Sequence, residues 1–390
     1  MGIESNIWKL YVIKGLRWFM LIMPIVVLFF QENGLSLREV MILQGSYSFM
    51  VALMEIPSGY IADVFGRKKT LILGAVTSFI GFLIISLSFN FWPFLLGEIF
   101  LGLGASFISG ADSALLYDSL VESKREKEYT KVEGTTYGIG NFSEAIAGIC
   151  GGFLADISLR LPWYFQLIIA ALIIPITLTL VEPTVHQKNR LQTSLKAIWE
   201  VVKFTLIENK YLRWIILLSS SIGLATLTIA WFAQPYFKSI DLPLKYFGIA
   251  WAILNLSTGI SSINAYRIEN ILNKKTILLS ISILVSLPVV LINSYGGFIG
   301  LSLLLFIYLI RGFATPLLRN YINEKTDSTI RATVLSIRSF CIRLAFAIFA
   351  PFLGWIADIY TLQHSFVVLG LVILFFSLLF SLKLSKLMND

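Results

Sequence analysis

The chain has 390 residues, 57% of them hydrophobic and 14% charged, with 31 Lys and Arg against 23 Asp and Glu for a formal net charge of +8. Its mean hydropathy is +0.80. A soluble domain needs far more charge to cover its surface, so this balance excludes a chain whose only solvent is water.

Hydropathy places spanning helices near residues 8–30, 40–62, 70–87, 92–116, 132–155 and 163–181. A second set follows near 212–237, 246–266, 276–293, 298–317, 332–357 and 366–384. The first stretch is long enough to span and carries no small-residue cleavage site, so it reads as a helix and not as a cleaved signal. Between the sets lies the longest polar stretch, 182–211. Its basic amphipathic piece near 195–204 suits a membrane surface and equally a plain linker. The expected organisation is an N-terminal six-helix bundle over 1–181, a cytoplasmic linker over 182–211 and a C-terminal six-helix bundle over 212–390.

The net positive charge would suit nucleic acid, but the distribution of the cations argues against it. About 22 of the Lys and Arg fall in loops on one side, about 4 on the other and about 5 within helices, the positive-inside bias of a bacterial inner-membrane protein. Both termini are then expected in the cytoplasm. Cys150 and Cys341 lie in apolar helices without metal-ligand spacing, and His186 and His364 are too few for a zinc or haem site, so no metal or cofactor is expected. No glycine-rich loop ends in Gly-Lys-Ser or Gly-Lys-Thr, and no nucleophile–base set occurs, which argues against ATP drive and against an enzyme.

The two halves echo one another. Residues 63–73 read DVFGRKKTLIL and residues 269–279 read ENILNKKTILL, with KKT in register and acid opposite acid. Leu154-Ala155-Asp156-Ile157 is matched by Ile356-Ala357-Asp358-Ile359, each after a glycine, Gly152 and Gly354. Duplication of this kind places a substrate site near the midplane, between the halves.

Residues 59–69, GYIADVFGRKK, fall in the expected cytoplasmic loop between the second and third spans. The segment resembles the loop motif of the major facilitator superfamily: glycine, three residues, aspartate, two residues, glycine, then basic residues. The resemblance covers essentially the whole chain and implies an all-α membrane protein with twelve transmembrane helices in two pseudo-symmetric six-helix bundles. In that family the loop is a conformational latch, here Gly59, Asp63, Gly66 and Arg67 with Asp118 at the cytoplasmic end of the fourth span. Gly59 and Gly66 would let backbones approach closely. Asp63 would complement a helix N-terminus on the opposite half, and Arg67 would pair with Asp118. The segments around Glu55, Ser109–Leu120 and Arg331–Ser336 resemble a bacterial branch rich in efflux proteins. Two departures stand out. Glu98 occupies the region where proton-coupled drug exporters carry an arginine, and Ser143, Ala147 and Gly148 precede Gly151 and Gly152 without the proline of the family's fifth-helix motif.

Ionisable groups at membrane depth are costly and each needs a reason. From helix rise, Glu55 lies about 12 Å and Arg338 about 10 Å from the cytoplasmic end. The resemblance makes them partners across the halves, with Arg343 deeper. Asp112 lies about 9 Å and Arg311 about 12 Å in, on the cavity-lining fourth and tenth helices. Arg311 is the expected contact for an anionic group, and Glu98 sits near the outer mouth. Glu144, about 20 Å from the inside, is the sharpest proton-coupling candidate, ahead of Glu55, Glu98 and Asp112. The alternative for Glu144 is a static ion pair with Arg17 or Lys14. Arg17, Gln234 and Tyr236 complete the substrate-cavity candidates.

The leading expectation is a secondary transporter working by alternating access that exports a small amphipathic molecule in exchange for protons. The alternative is uptake or facilitated movement of an anionic or zwitterionic metabolite or metal chelate, favoured by the missing proline and the intramembrane arginines. A non-transporting membrane receptor is the third. The expected partners are a small-molecule substrate, protons and membrane lipids, with a monomer as the default.

Overall fold

The computed structural model describes residues 2–184, 195–292, 297–327 and 330–388; His186, Asn293 and residues 185–194 of the expected linker lie outside these. Lipid offers no partner to an unpaired N–H or C=O, so a spanning segment must satisfy its backbone internally. Among the described residues all regular structure is accordingly helical.

The first predicted span is split into α1 (Ser5–Trp18) and α2 (Val26–Glu32), and α3 (Leu37–Phe65) and α4 (Arg67–Leu87) are the second and third. The fourth is split again, into α5 (Phe91–Ser109) and α6 (Asp112–Glu122), followed by α7 (Tyr129–Ile157) and α8 (Leu161–Leu178). A short α9 (Leu195–Lys203) precedes α10 (Lys210–Ser239), α11 (Phe247–Ile263), the single-turn α12 (Ala265–Glu269) and α13 (Lys274–Leu291). The last three are α14 (Gly297–Glu324), α15 (Arg331–Ile359) and α16 (Leu362–Leu387).

Among the described residues nine helical stretches are long and apolar enough to cross a membrane. The bent α3 makes a tenth, its two arms, Leu37–Glu55 and Pro57–Phe65, meeting at 50°. Pro57 accounts for that bend, because proline removes one helical N–H and its ring crowds the preceding turn. The split first span and the more polar α7, which carries Glu133, Glu144 and Asp156, bring the count into accord with twelve.

The chain packs as two compact units. Unit 1 comprises Met1–Leu35, Ser46–Thr193 and Pro243–Ala252, and unit 2 comprises Ser36–Gly45, Ser194–Leu242 and Ile253–Asp390. In unit 1, α4 and α5 meet through small residues. A Cβ added at Gly104 would lie 2.1 Å from Ser78 Oγ and 2.8 Å from the Gly74 carbonyl, so the two backbones are too close for any side chain there. One end of unit 1 is closed by Phe29, Phe30, Phe94 and Trp163, whose rings pack within 4.8–5.8 Å of one another. Arg160 lies over Phe29 and donates to the Ser86 and Ser88 carbonyls at 2.9 Å and to Asn33 Oδ1 at 2.6 Å. In unit 2, α13 and α16 are joined by the buried Ser282–Ser381 hydroxyl pair at 2.9 Å.

Gly104→Leu should force α4 and α5 apart, at a cost of about 1–3 kcal/mol. The expected result is a melting midpoint in detergent lowered by several degrees. Gly259→Leu is the control, since an added Cβ there meets nothing within 4 Å, and it should leave the midpoint nearly unchanged.

Candidate functional site

The two split spans of unit 1 break for different local reasons. In the first span, Pro24 lacks an amide donor and disfavours helical backbone at Met23, so the chain between Trp18 and Val26 leaves the helix. Its backbone is nevertheless paired, because Leu21 N–H donates to the buried Gln166 Oε1 of α8 at 2.9 Å. On α7, Gly151 sits directly beneath, and an added Cβ would fall 1.9 Å from the Leu21 carbonyl oxygen. In the fourth span the break is at Gly110-Ala111, where a Cβ on Gly110 would lie 3.2 Å from Gly59 N. The close approach expected at Gly59 is therefore made through the missing side chain of Gly110. A Cβ on Gly59 itself would meet no described atom within 4 Å.

These breaks leave a helix C-terminus and a helix N-terminus inside unit 1, and charges of the matching sign sit there. Arg17 lies in the last turn of α1 and Asp112 is the first residue of α6, each favoured by the local helix dipole. Lys14 Nζ is 3.2 Å and Arg17 Nη1 3.4 Å from the same oxygen, Asp112 Oδ2. Arg17 Nη2 donates to the Ala105 carbonyl at 3.4 Å, and Asp112 Oδ1 accepts from Ser113 N at 2.8 Å. The Ser113 hydroxyl in turn donates to Glu133 Oε1 of α7 at 2.8 Å. Together with Thr136, Leu10 and Ile13 these groups line a cavity of about 10 Å³, room for about one water. The structure thus places Arg17 and Lys14 on Asp112, a pairing the sequence did not suggest.

The basic loop of unit 1 is held by two carboxylates. Gly66 adopts φ +102°, a conformation glycine takes without strain, and precedes α4. Both oxygens of Glu182 accept from the first amides of α4, Arg67 N and Lys68 N, at 2.7 Å each. Arg67 Nη1 lies 2.7 Å from Asp118 Oδ2, with both side chains largely buried, and Asp63 is exposed on the last turn of α3. Unit 2 carries a counterpart. Lys274 at the start of α13 pairs with Glu324 at the end of α14, and Asn273 caps α13 by accepting from Thr276 N at 2.9 Å. Unit 2 also holds the N-terminus of α3. Asp358 accepts from Leu37 N and Arg38 N at 2.8 Å each, while Ser36 and Glu39 form a reciprocal capping box. The Ser-x-x-Glu pattern was readable in the sequence; the remote caps by Glu182 and Asp358 were not.

The other candidates are dispersed. Glu98 is buried on α5, Glu144 lies on α7, and Glu55 stands at the bend of α3. Gln234 is fully buried in α10, and Tyr236 is packed against Phe366, so both belong to the core of unit 2. Arg311 lies with its guanidinium 5.5 Å from the Tyr308 ring centre, and Arg338 donates to Ser219 Oγ at 2.5 Å. No described carboxylate of unit 2 lies within 4 Å of Arg311, Arg338 or Arg343. The six long helices of unit 2 that follow α9 carry two acids, Glu324 and Asp358, each within the last two residues of its helix.

A sequence model of the Major Facilitator Superfamily matches residues 8–345. An uncharacterized MFS-type transporter of Methanocaldococcus jannaschii is 26% identical over 198 residues, 48% of either chain. The class H tetracycline resistance protein of Pasteurella multocida is 26% identical over 162 residues, 40% of this chain and 39% of that protein. The chain thus spans about half the length of the curated relatives it matches, or less. The crystal structure of the nucleoside transporter NupG superposes with a TM-score of 0.82 over 98% of this chain and 99% of that one, at 14% identity, which shows a common fold.

The Arg67–Asp118 pair is testable by a double-mutant cycle with Arg67→Gln and Asp118→Asn. The expected coupling in thermal or denaturant stability is about 0.5–3 kcal/mol, the range for partners in contact. Additive single effects would show that the two side chains do not interact.

Proposed function

The chain belongs to the Major Facilitator Superfamily, and on that premise we propose that it is a proton-coupled secondary transporter of a small molecule bearing an anionic group. The membrane setting and the transporter fold follow from the family; the solute and its coupling are our reading. What carries it is Arg311 with Arg338 and Arg343, three guanidinium groups within the spans of unit 2 and no described carboxylate of that unit within 4 Å of them. A cation at membrane depth costs several kcal/mol unless neutralised, and the anionic group of a solute is the neutralising partner that gives such residues a use. Arg311, supported by the Tyr308 ring, is assigned the direct contact. Gln234 and Tyr236, sealed in the core, are assigned to packing.

Transport proceeds by alternating access. The Arg67–Asp118 and Lys274–Glu324 pairs hold the basic loops of the two units. We place the protein in the cytoplasmic membrane of its cell with both termini inside, because the basic loops share one side. A second reading, proton-driven export of an amphipathic compound through Glu144 or Glu98, is favoured by the likeness to the tetracycline resistance protein.

Thermal stability of the purified protein decides between them. A ligand that binds the folded protein at a hundred times its Kd adds about 2.7 kcal/mol and raises the midpoint. Organic anions or metal chelates should raise it, and Arg311→Ala should abolish the rise. A rise with lipophilic cations alone, unaffected by Arg311→Ala, would overturn the anion reading in favour of export.

A further inference from the structure

The charge cluster of unit 1 contains a carboxyl that the sequence did not single out. Glu133 stands in the second turn of α7, and its Oε1 accepts from the Ser113 hydroxyl at 2.8 Å. Its Oε2 is buried and has no hydrogen-bond partner among the described residues. It lines the cavity of about 10 Å³ shared with Lys14, Arg17, Asp112 and Thr136. A buried carboxylate oxygen without a donor is costly. A proton on that oxygen removes the charge and converts the group from acceptor to donor.

We propose that Glu133 is a proton-binding site of this transporter, set between Ser113 and the Lys14–Asp112–Arg17 cluster. The site rests on the transport reading above for its role, though not for its existence. Asp112 is the less suitable carrier. One of its oxygens is shared by two cations and the other accepts from the first turn of its own helix. Glu133 has one neutral hydroxyl donor.

The groups facing it come from each packed element: Lys14 and Arg17 from α1, Asp112 and Tyr117 from α6, and Tyr129 on its own helix, whose ring meets Tyr117 edge-on at 5.2 Å. The remaining long neighbour, α8, has no charged residue, the short turn before α7 carries Glu126, Lys127 and Glu128, and residues 243–252 meet α7 at its other end, around Gly148 and Gly152.

The charge balance gives the site its consequence. Lys14, Arg17 and Asp112 sum to one positive charge, and ionised Glu133 brings the cluster to zero. A proton from water, added to Glu133 Oε2, leaves one net positive charge beside Lys14 and Arg17; its return to water restores neutrality. Proton occupancy therefore rises together with attraction for an anion at this end of unit 1, the condition for moving a proton with an anionic solute.

The test is infrared difference spectroscopy of the purified full-length protein between an acidic and an alkaline buffer. A protonated-carboxyl band is expected in the wild type, retained in Asp112→Asn, lost in Glu133→Gln and displaced in Ser113→Ala, which removes the one donor to that carboxyl. An unchanged carboxyl spectrum in Glu133→Gln overturns the proposal. Should that variant fail to fold, an undisplaced band in Ser113→Ala overturns it equally. The anion panel described above separates the two readings. A Glu133 band in a protein that no anion stabilises would sink the anion-transport reading and leave the proton site. Anion stabilisation without that band would sink the proton site alone.

Discussion

The structure depends on one constraint: inside lipid, every backbone amide and carbonyl must find a partner within the protein. Continuous helices meet it without help, and most of the chain takes that course. The two spans of unit 1 that break need supplementary partners, and they receive them. Gln166 accepts the Leu21 amide, Gly151 yields the space for the displaced backbone, and Arg17 and Asp112 answer the partial charges of the exposed helix ends. The charge cluster is thus a consequence of the breaks as much as an occupant of them. Removing the cations would leave Asp112 as an uncompensated charge, and restoring continuous helix would leave it without its place on a helix N-terminus.

The same economy explains the caps. Glu182 and Asp358 each spread one carboxylate over two adjacent amides at a helix start, for α4 and α3. Such a cap favours the charged carboxylate through the helix dipole and closes two of the four open donors at once. It also fixes chain segments far apart in sequence. Residues 36–45 are gathered into unit 2 by Asp358 and by Gly354, where an added Cβ would lie 2.8 Å from the Arg38 Cα. In unit 1 a Cβ on Gly152 would lie 2.9 Å from Gly248 N, so residues 243–252 are gathered there by the corresponding glycine.

What could be read from the sequence followed from composition and short-range spacing. The twelve apolar stretches belong to that class, because length and hydropathy are local properties, whereas the pairing of Arg67 with Asp118 was implied by the family resemblance of the loop. The breaks in the first and fourth spans were not legible, since residues 8–30 and 92–116 are each apolar enough overall to read as one continuous span and one proline or glycine is tolerated in a membrane helix. Glu133 escaped notice for a related reason. It lies near the expected start of the fifth span, where an acid is unremarkable until Ser113, twenty residues earlier, is found donating to it. The partners of Glu182 and Asp358 lie 115 and 321 residues away, beyond any pattern that periodicity can show. Gln234 and Tyr236 point the other way: a polar run around Pro235 reads as a pocket wall, while packing against Phe366 makes Tyr236 part of a core.

The internal duplication gives a way to separate architecture from chemistry. Where the two copies agree, at the basic loop tied to the end of the fourth or tenth span and at the glycine before Asp156 or Asp358, the feature holds a bundle together. Where they differ, the architecture that the two copies share does not call for the charge. The first span is split and carries Lys14 and Arg17, whereas its counterpart α10 is one helix of 30 residues with no charge between Arg213 and Lys238. The fourth is split at Asp112, whereas α14 runs unbroken through Arg311. The fifth carries Glu133 and Glu144, whereas α15 carries Arg338 and Arg343. The fifth span thus carries acids where the eleventh carries arginines, and the fourth carries Asp112 and the tenth Arg311. The divergence is what supports the proposed roles, protons in one unit and negative charge in the other.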